Sequence, residues 1–255
     1  MTIDAVIDAG LAKRDYIEEM ERITPRERYR REYLAEFVED ELAYFPQNLI
    51  TQCIDSQLAS ITDDWAKRVK APIGRYFLGV DLGQKVDPTV IAITRWDGKR
   101  KLAELVGLQQ FPLLTPYATV IGMVKVICDK LQRVERVLVD ETGVGGYVVE
   151  DMQRAGINSS RPVEGVMFTV PLKQEVLSHM KELMDTHALS FYYDPELITQ
   201  INVERYELTK TGQYQFSHPD GTHDDQLWAL ALAVYATRTP DTSYMGVVFG
   251  VPKNY

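Results

Sequence analysis

Four acidic residues of this sequence stand where a predicted strand ends or a predicted helix begins: Asp81, Asp140, Asp224 and Asp225. Asp81 follows the apolar run Tyr76–Val80. Asp140 follows a second apolar run, Val137–Val139. The other two stand side by side before the long apolar stretch Leu227–Tyr235. Hard cations such as Mg2+ prefer oxygen ligands, and a compact site takes them from distant segments of the chain. The pattern therefore predicts a metal-dependent site that cleaves phosphodiester bonds.

The adjacent acids have two interpretations. Thr222 could cap the following helix, with Asp225 in its first turn, where an acid favours the helix dipole by about 0.3–1 kcal/mol. Capping does not account for Asp224, and two neighbouring carboxylates repel each other unless a cation offsets their charge. The sequence leaves open which of the two coordinates directly, with a slight preference for Asp225.

Five further residues are weaker candidates for the site: Asp87, His223, Lys173, Lys99 and Arg100. Asp87 precedes Pro88 as a turn residue does, but it could reach the metal from the loop after Asp81. His223 could polarise a water or contact phosphate, and a capping or packing role suits it equally. Lys173, Lys99 and Arg100 are candidate contacts for DNA phosphates, although solvated surface charge is the more ordinary interpretation.

Composition describes an ordinary globular chain. Its 255 residues are 45% hydrophobic and 25% charged, which allows a substantial core. The net charge of -9 argues against a protein that coats nucleic acid nonspecifically, but an acidic metal cluster is compatible with it. Two cysteines and four histidines favour neither a disulfide framework nor a zinc site. We expect no membrane span and no secretion signal.

The predicted elements alternate between strands and helices after residue 75. Three strands come first, and a turn at Trp96–Gly98 joins the second to the third. Helix, strand, helix, strand and helix follow, then a second hairpin and the apolar helix, which has almost no polar face and must be buried. This order predicts an α/β fold around a mixed sheet whose first three strands are antiparallel. Before residue 70, Arg26–Leu42 has a helical apolar stripe.

Three segments together resemble the C-terminal nuclease domain of the large terminase subunit of tailed viruses: Gly79–Gly83, Val139–Gly145 and Gly221–Ala231. Their order and spacing resemble that family over about residues 73–238. A fourth segment, Arg30–Phe37, resembles the end of the ATPase region that precedes the nuclease in the family. Each acidic motif is short, but their joint occurrence in this order is fairly specific.

The resemblance implies a ribonuclease H-like fold, a helical extension and linker over residues 1–70, a nuclease domain over 71–238, and a tail over 239–255. It implies a two-metal endonuclease that cuts concatemeric viral double-stranded DNA, with Asp81, Asp140 and Asp225 as ligands of two Mg2+ or Mn2+ ions. Asp224 and Asp87 would be helping neighbours. The implied partners are the terminase ATPase region, the small terminase subunit and the portal, in the host cytoplasm. The chain departs from the family in one respect, since it contains no P-loop lysine motif.

Two other functions remain open from the sequence. A resolvase or transposase nuclease could share the fold, and preference for branched DNA or strand transfer would identify it. A noncatalytic docking module of the packaging motor could also keep the fold, and it would not need to bind a metal.

Overall fold

A computed structural model of the chain describes residues 43–61, 73–131, 133–143, 146–157, 159–209, 212–219 and 221–238. All the helices and strands of the described residues belong to one compact unit, which begins at Tyr44. The predicted helix Arg26–Leu42, most of the predicted extension and the tail after residue 238 lie outside the described residues. The domain boundaries therefore stay predictions.

The described residues form six helices: α1 (Gln47–Gln52), α2 (Tyr117–Lys130), α3 (Tyr147–Arg154), α4 (Val170–Asp185), α5 (Pro195–Val203) and α6 (Asp225–Tyr235). They also form eight strands: β1 (Arg75–Asp81), β2 (Val90–Asp97), β3 (Leu102–Gln110), β4 (Val134–Asp140), β5 (Glu164–Val166), β6 (Leu189–Phe191), β7 (Arg205–Leu208) and β8 (Tyr214–Ser217). Within this part of the chain no helix is both long and apolar enough to cross a bilayer.

Six strands form one mixed sheet in the order β5-β4-β1-β2-β3-β6. The first three strands are antiparallel neighbours, as the sequence predicts. Strands β4 and β5 extend the sheet in parallel on one side, and β6 pairs in parallel with β3 on the other. The predicted α/β fold class with a mixed sheet is therefore confirmed.

Side chains alternate between the two faces of the central strands. In β2, Val90 and Ala92 join the core under α4, α5 and α6, whereas Ile91 and Ile93 join the core under α2 and α3. Because successive side chains of a strand point to opposite faces, a run of apolar residues can fill both cores at once. Helices on both faces thus bury the sheet completely at its centre.

Helix α6 packs against β1 more closely than a side chain would allow. Every residue of Leu227–Val234 is buried. A Cβ added to Gly79 of β1 would collide with the carbonyl oxygen of Ala229 and the amide nitrogen of Ala233. Gly79 therefore lets the backbone of the helix lie directly on the strand, a close approach that only glycine permits.

The segment before residue 62 contains a short helix, α1, that the sequence analysis did not predict. Tyr44 packs edge to face on Phe216 of the β7-β8 hairpin, with ring centroids 4.8 Å apart. The amide nitrogens of Asp55 and Ile61 donate to the carbonyl oxygens of Phe191 and Val106, at 2.9 and 2.7 Å. Part of the stretch interpreted as a linker thus lies against the sheet.

Candidate metal centre

Asp81 and Asp140 lie side by side at one edge of the sheet. Strands β1 and β4 run parallel, and Val80 pairs with Val139, so the residue that follows each valine sits at the same carboxyl edge. The Oδ1 atom of Asp140 accepts a hydrogen bond of 2.8 Å from the amide of Thr142, which fixes that carboxylate. The strand register therefore brings together two acids that are 59 positions apart in the sequence.

Helix α6 brings Asp225 to the same edge. Gly79 of β1 lies against Ala229, and Asp225 is one helical turn before Ala229, on the side of the strand where Asp81 follows. The electrostatic effect agrees with this placement: the pKa of Asp81 is well above its ordinary range because of burial, with the charges of Asp140, Asp225 and Asp224 adding to the rise. The three predicted ligands thus lie at the same edge of the sheet.

The cap of α6 differs from the one considered in the sequence analysis. Thr222 donates its hydroxyl hydrogen to the carbonyl oxygen of Pro219 at 2.6 Å, so it does not cap the helix. Instead, the side-chain oxygen of Gln200 on α5 accepts from the first-turn amides of Gln226 at 2.7 Å and Leu227 at 3.3 Å. A residue from another helix satisfies these amides, which otherwise lack partners at a helix start.

Asp87 and His223 face Asp225. The Nδ1 atom of His223 lies 3.6 Å from Oδ1 of Asp87 and 3.7 Å from Oδ2 of Asp225. One ligand atom from each of the three residues lies within 4.8 Å of the others. Asp225 is 4% exposed, and among the described residues its Oδ2 atom has no hydrogen-bond partner. A buried carboxylate oxygen without a hydrogen-bond partner keeps its lone pairs for another ligand, such as a cation.

Burial and mutual repulsion raise the pKa values of the clustered acids. The pKa of Asp225 rises to about 6, first through burial and then through the charges of Asp87 and Asp224, while His223 opposes the rise. Burial also raises the pKa of Asp140, against the hydrogen bonds from Thr142. Such shifts mark carboxyls that lack a counter-charge, and a bound cation would supply it.

Asp224 is held in a different way from Asp225. The indole nitrogen of Trp228 donates to Oδ2 of Asp224 at 2.7 Å, and Nε2 of His218 lies 3.6 Å from Oδ1. Both carboxylate oxygens therefore face protein groups. The structure thus gives the two adjacent acids different surroundings, a difference that the sequence does not reveal.

Lys173 lies over two aromatic rings beside the acids. Its ammonium nitrogen is 4.6 Å from the ring centroid of Trp228 and 5.6 Å from that of Phe168. The amide of Phe168 donates to the hydroxyl of Thr142 at 2.8 Å. This bond links one of the two rings under Lys173 to the turn after Asp140. Lys173 therefore lies beside the acids, and its contact with a DNA phosphate stays a prediction.

Glu204 is a buried acid near the site that sequence reasoning missed. It is 1% exposed, and neither of its carboxylate oxygens accepts a hydrogen bond from any described residue. Burial raises its pKa to about 8, with Asp224 adding to the rise and Lys173 opposing it. No motif marks Glu204, since it lies between α5 and β7 without a distinctive neighbour. Trp228 was also missed, although its position four residues after Asp224 is a detectable signal.

Lys99 and Arg100 lie away from the acidic cluster. They follow β2 in the turn to β3, whereas Val90, at the other end of β2, pairs with Asp81. Arg100 forms an ion pair of 3.2 Å with the buried Glu104. The structure thus brings Lys173 and His223 to the acids but places Lys99 and Arg100 at the opposite end of the strand.

Comparison with known proteins places this geometry in context. Over 230 residues the chain is 24% identical to the large terminase subunit of Thermus virus P23-45. The match covers 89% of this chain and 44% of the viral protein, so the chain spans less than half the length of this relative. No protein-family model matches the sequence.

Solved structures of terminase nucleases share the fold. The large terminase nuclease of the thermophilic phage G20c, crystallised with magnesium, matches with a TM-score of 0.60 and 19% identity, over 76% of this chain and 97% of that chain. The nuclease domain of Thermus phage P74-26 matches with a TM-score of 0.56 and 18% identity, over 73% and 92%. The chain therefore has the fold of large terminase nuclease domains, which confirms the ribonuclease H-like fold and the resemblance predicted from its sequence.

Proposed function

We propose that this chain is a metal-dependent endonuclease that cuts concatemeric viral double-stranded DNA during genome packaging, as the nuclease part of a terminase large subunit. The observation that carries the proposal is the convergence of Asp81, Asp140 and Asp225, from two strands and a helix, at one edge of the sheet. The similar nuclease of phage G20c was crystallised with magnesium and with cobalt, which supports a divalent cation here.

The residues at this edge fit such a cation. Carboxylate oxygens suit both Mg2+ and Mn2+. We assign Asp81, Asp140 and Asp225 as the direct ligands of two ions, with Asp87 and His223 as the neighbours that complete the site. When bound, the cations would lower the pKa of water and stabilise charge on the scissile phosphate. The unpartnered Oδ2 atom of Asp225 supports its role as a ligand.

The protein groups around the acids supply position. Thr142 fixes the Asp140 carboxylate, and Gln200 fixes the start of the helix that carries Asp225. We assign Asp224 to positioning, because Trp228 occupies one of its oxygens. A site held by rigid strands and a buried helix keeps its ligands in place before the substrate arrives, which is what phosphoryl chemistry requires of the protein.

The substrate and partners follow from the likeness to terminases. The net charge of -9 implies modest affinity for DNA by this chain alone, so a packaging motor would hold the substrate. We propose that the motor includes a terminase ATPase region, the small terminase subunit and the portal, in the host cytoplasm. Residues 1–70 would then be the end of the ATPase region. Lys99 and Arg100 would contact the DNA backbone only where the duplex extends beyond the acidic cluster.

Cleavage of supercoiled plasmid tests the proposal. We expect nicked and linear products with Mn2+ or Mg2+ and none with a chelator. Asp81→Asn, Asp140→Asn and Asp225→Asn should each abolish cutting while the protein stays folded. Asp129→Asn, which removes an exposed acid of α2, is the control and should cut normally. Normal cutting by the first three variants contradicts the proposal, and a preference for four-way junctions over plasmid would instead identify a resolvase.

A further inference from the structure

We infer that Lys173 is a catalytic residue of this site: its ammonium group, held over Phe168 and Trp228, contacts the phosphate that is cut. The inference rests on the proposed nuclease function and adds a residue to it. The inference starts from the position of the Lys173 ammonium group, which lies beside a strongly acidic cluster.

The position of Lys173 is fixed on two sides. The ammonium nitrogen lies 4.6 Å from the centroid of the Trp228 ring and 5.6 Å from that of Phe168, and the two rings are 4.8 Å apart. Such contacts hold a cation by the negative faces of the rings. They use none of the three N–H bonds of the ammonium group, because a ring face attracts charge without accepting a strong hydrogen bond.

Hydrogen bonds connect the two aromatic residues under Lys173 to acids on both sides. Trp228 donates to Asp224 at 2.7 Å, on the side of helix α6. Phe168 donates to Thr142, whose own amide donates to Asp140, on the side of strand β4. The two aromatic residues thus connect the position of the lysine to Asp140 on one side and to Asp224 on the other.

The charge of Lys173 affects the pKa values of several acids, but Lys173 forms an ion pair with none of them. Its attraction lowers the pKa values of Asp81, Asp140 and Glu204, against the larger effect of burial in each case. Yet its ammonium group forms neither a hydrogen bond nor an ion pair with any residue in the part of the chain that the structure describes. An ammonium group with free donors, next to an acidic cluster, is available for an anionic oxygen of the substrate.

This position suits the charge that develops during phosphodiester cleavage. The DNA phosphate is itself negative and must approach a cluster of carboxylates, so a nearby fixed cation reduces the repulsion. A preorganised donor also stabilises the additional charge of the transition state without moving. We therefore expect Lys173 to affect the rate of the chemical step more than the binding of DNA or metal.

Replacement of Lys173 by methionine, Lys173→Met, tests the role because it removes the charge and keeps the length of the side chain. With Mn2+ and plasmid, we expect kcat to fall on the order of 100-fold with little change in KM. Lys173→Arg, which keeps the charge, should retain a rate within about ten-fold of the original protein. Mn2+ affinity by calorimetry should be unchanged or tighter in Lys173→Met, since a competing positive charge is gone.

Lys181 provides a matched control. It lies two turns further along α4, its nitrogen is 4.5 Å from the ring centroid of Tyr44, and it donates to the carbonyl oxygen of Tyr44 at 2.7 Å. Lys181→Met should lower the melting temperature without lowering kcat. Comparison of the two variants separates the loss of an aromatic-stacked lysine from the loss of a catalytic cation.

Two results would overturn the role of Lys173. One is a Lys173→Met protein that cuts as fast as the original. The other is a Lys173→Met protein that loses Mn2+ binding together with cutting, because the lysine would then only hold the site together. Failure of the original protein to cut with either metal is a different outcome, since it overturns the proposed nuclease function itself.

Discussion

The indole nitrogen of Trp228 donates to the Asp224 carboxylate at 2.7 Å, and this bond gives two adjacent acids different surroundings. Asp224 stands just before helix α6 and faces Trp228 and His218, whereas Asp225 begins the helix and faces Asp87 and His223. One acid is therefore satisfied by the protein, and the other keeps an oxygen without a hydrogen-bond partner among the described residues.

This difference predicts unequal effects of the two acids. Asp225→Asn should abolish measurable Mn2+ binding by calorimetry and lower plasmid cutting at least about 100-fold, because a direct ligand is lost. Asp224→Asn should lower cutting only about ten-fold, and Trp228→Phe should have a similar effect, since both remove the same positioning bond. Equal loss of Mn2+ affinity in the two asparagine variants would contradict the assignment.

The acidic cluster should destabilise the protein when no metal is present. Burial and the charges of neighbouring acids destabilise the ionised Asp81 side chain, so Asp81→Asn should raise the free energy of unfolding at neutral pH. Removal of such an unfavourable group commonly stabilises a protein by about 0.5–2 kcal/mol. Urea unfolding without metal measures this change. Adding Mn2+ should then raise the melting temperature of the original protein but not that of Asp81→Asn, because only a protein that binds the ion is stabilised by it.

Two outcomes would contradict this prediction. A metal-free Asp81→Asn protein that is less stable than the original would show that the carboxylate has a structural role. An equal rise in melting temperature with Mn2+ would show that the ion binds elsewhere. Asp129→Asn again serves as the control for the loss of one negative charge.

Glu204 should make the stability depend on pH. Its pKa rises from an ordinary 4.5 to about 8 in the folded protein through burial. The folded chain therefore holds a proton that the unfolded chain releases, and the stabilising effect present below pH 4.5 is lost as the pH rises through about 8. Glu204→Gln should thus be more stable than the original at about pH 9, by a few kcal/mol relative to the difference at about pH 5.

Thermal unfolding at the two pH values measures the effect, with the exposed Glu196 of α5, the helix that precedes Glu204, as the matched position. The pH dependence of the Glu204→Gln difference matters more than its absolute value, because the substitution also changes local packing. A difference that is equal at both pH values would show that Glu204 titrates normally in the folded protein.

Gly79 should be intolerant of any side chain. A methyl group there would collide with the backbone of α6 at Ala229 and Ala233, so Gly79→Ala should destabilise the fold by about 1–3 kcal/mol or more. Any displacement of the helix also moves Asp225 away from Asp81, so cutting should fall in the protein that remains folded. Denaturant unfolding and plasmid cutting measure the two effects.

Gly122 gives the matched control for this substitution. It lies within α2, and a Cβ added there meets no atom within 4 Å. Gly122→Ala should stabilise the protein by about 1 kcal/mol, because alanine favours a helix interior more than glycine does. A Gly79→Ala protein as stable as Gly122→Ala would contradict the close packing of α6 on β1.

The sequence by itself determined the fold class and indicated the candidate ligands. Apolar runs that end in Asp81 and Asp140 identify buried strands whose carboxyl ends must lie at a sheet edge. The apolar stretch after Asp225 identifies a buried helix, because it has no polar face. These inferences depend only on local pattern, which is why the antiparallel order of the first strands and the mixed sheet could be predicted.

The tertiary structure decided what depends on rotation, register and packing. The orientation of α6 separates Asp224 from Asp225, and the register of β2 places Lys99 and Arg100 at the end away from Asp81. Glu204 lies beside the site because a helix ends there, and no local pattern encodes that position. Contacts between residues far apart in the chain fix these relations, so the sequence pattern of any one segment cannot contain them.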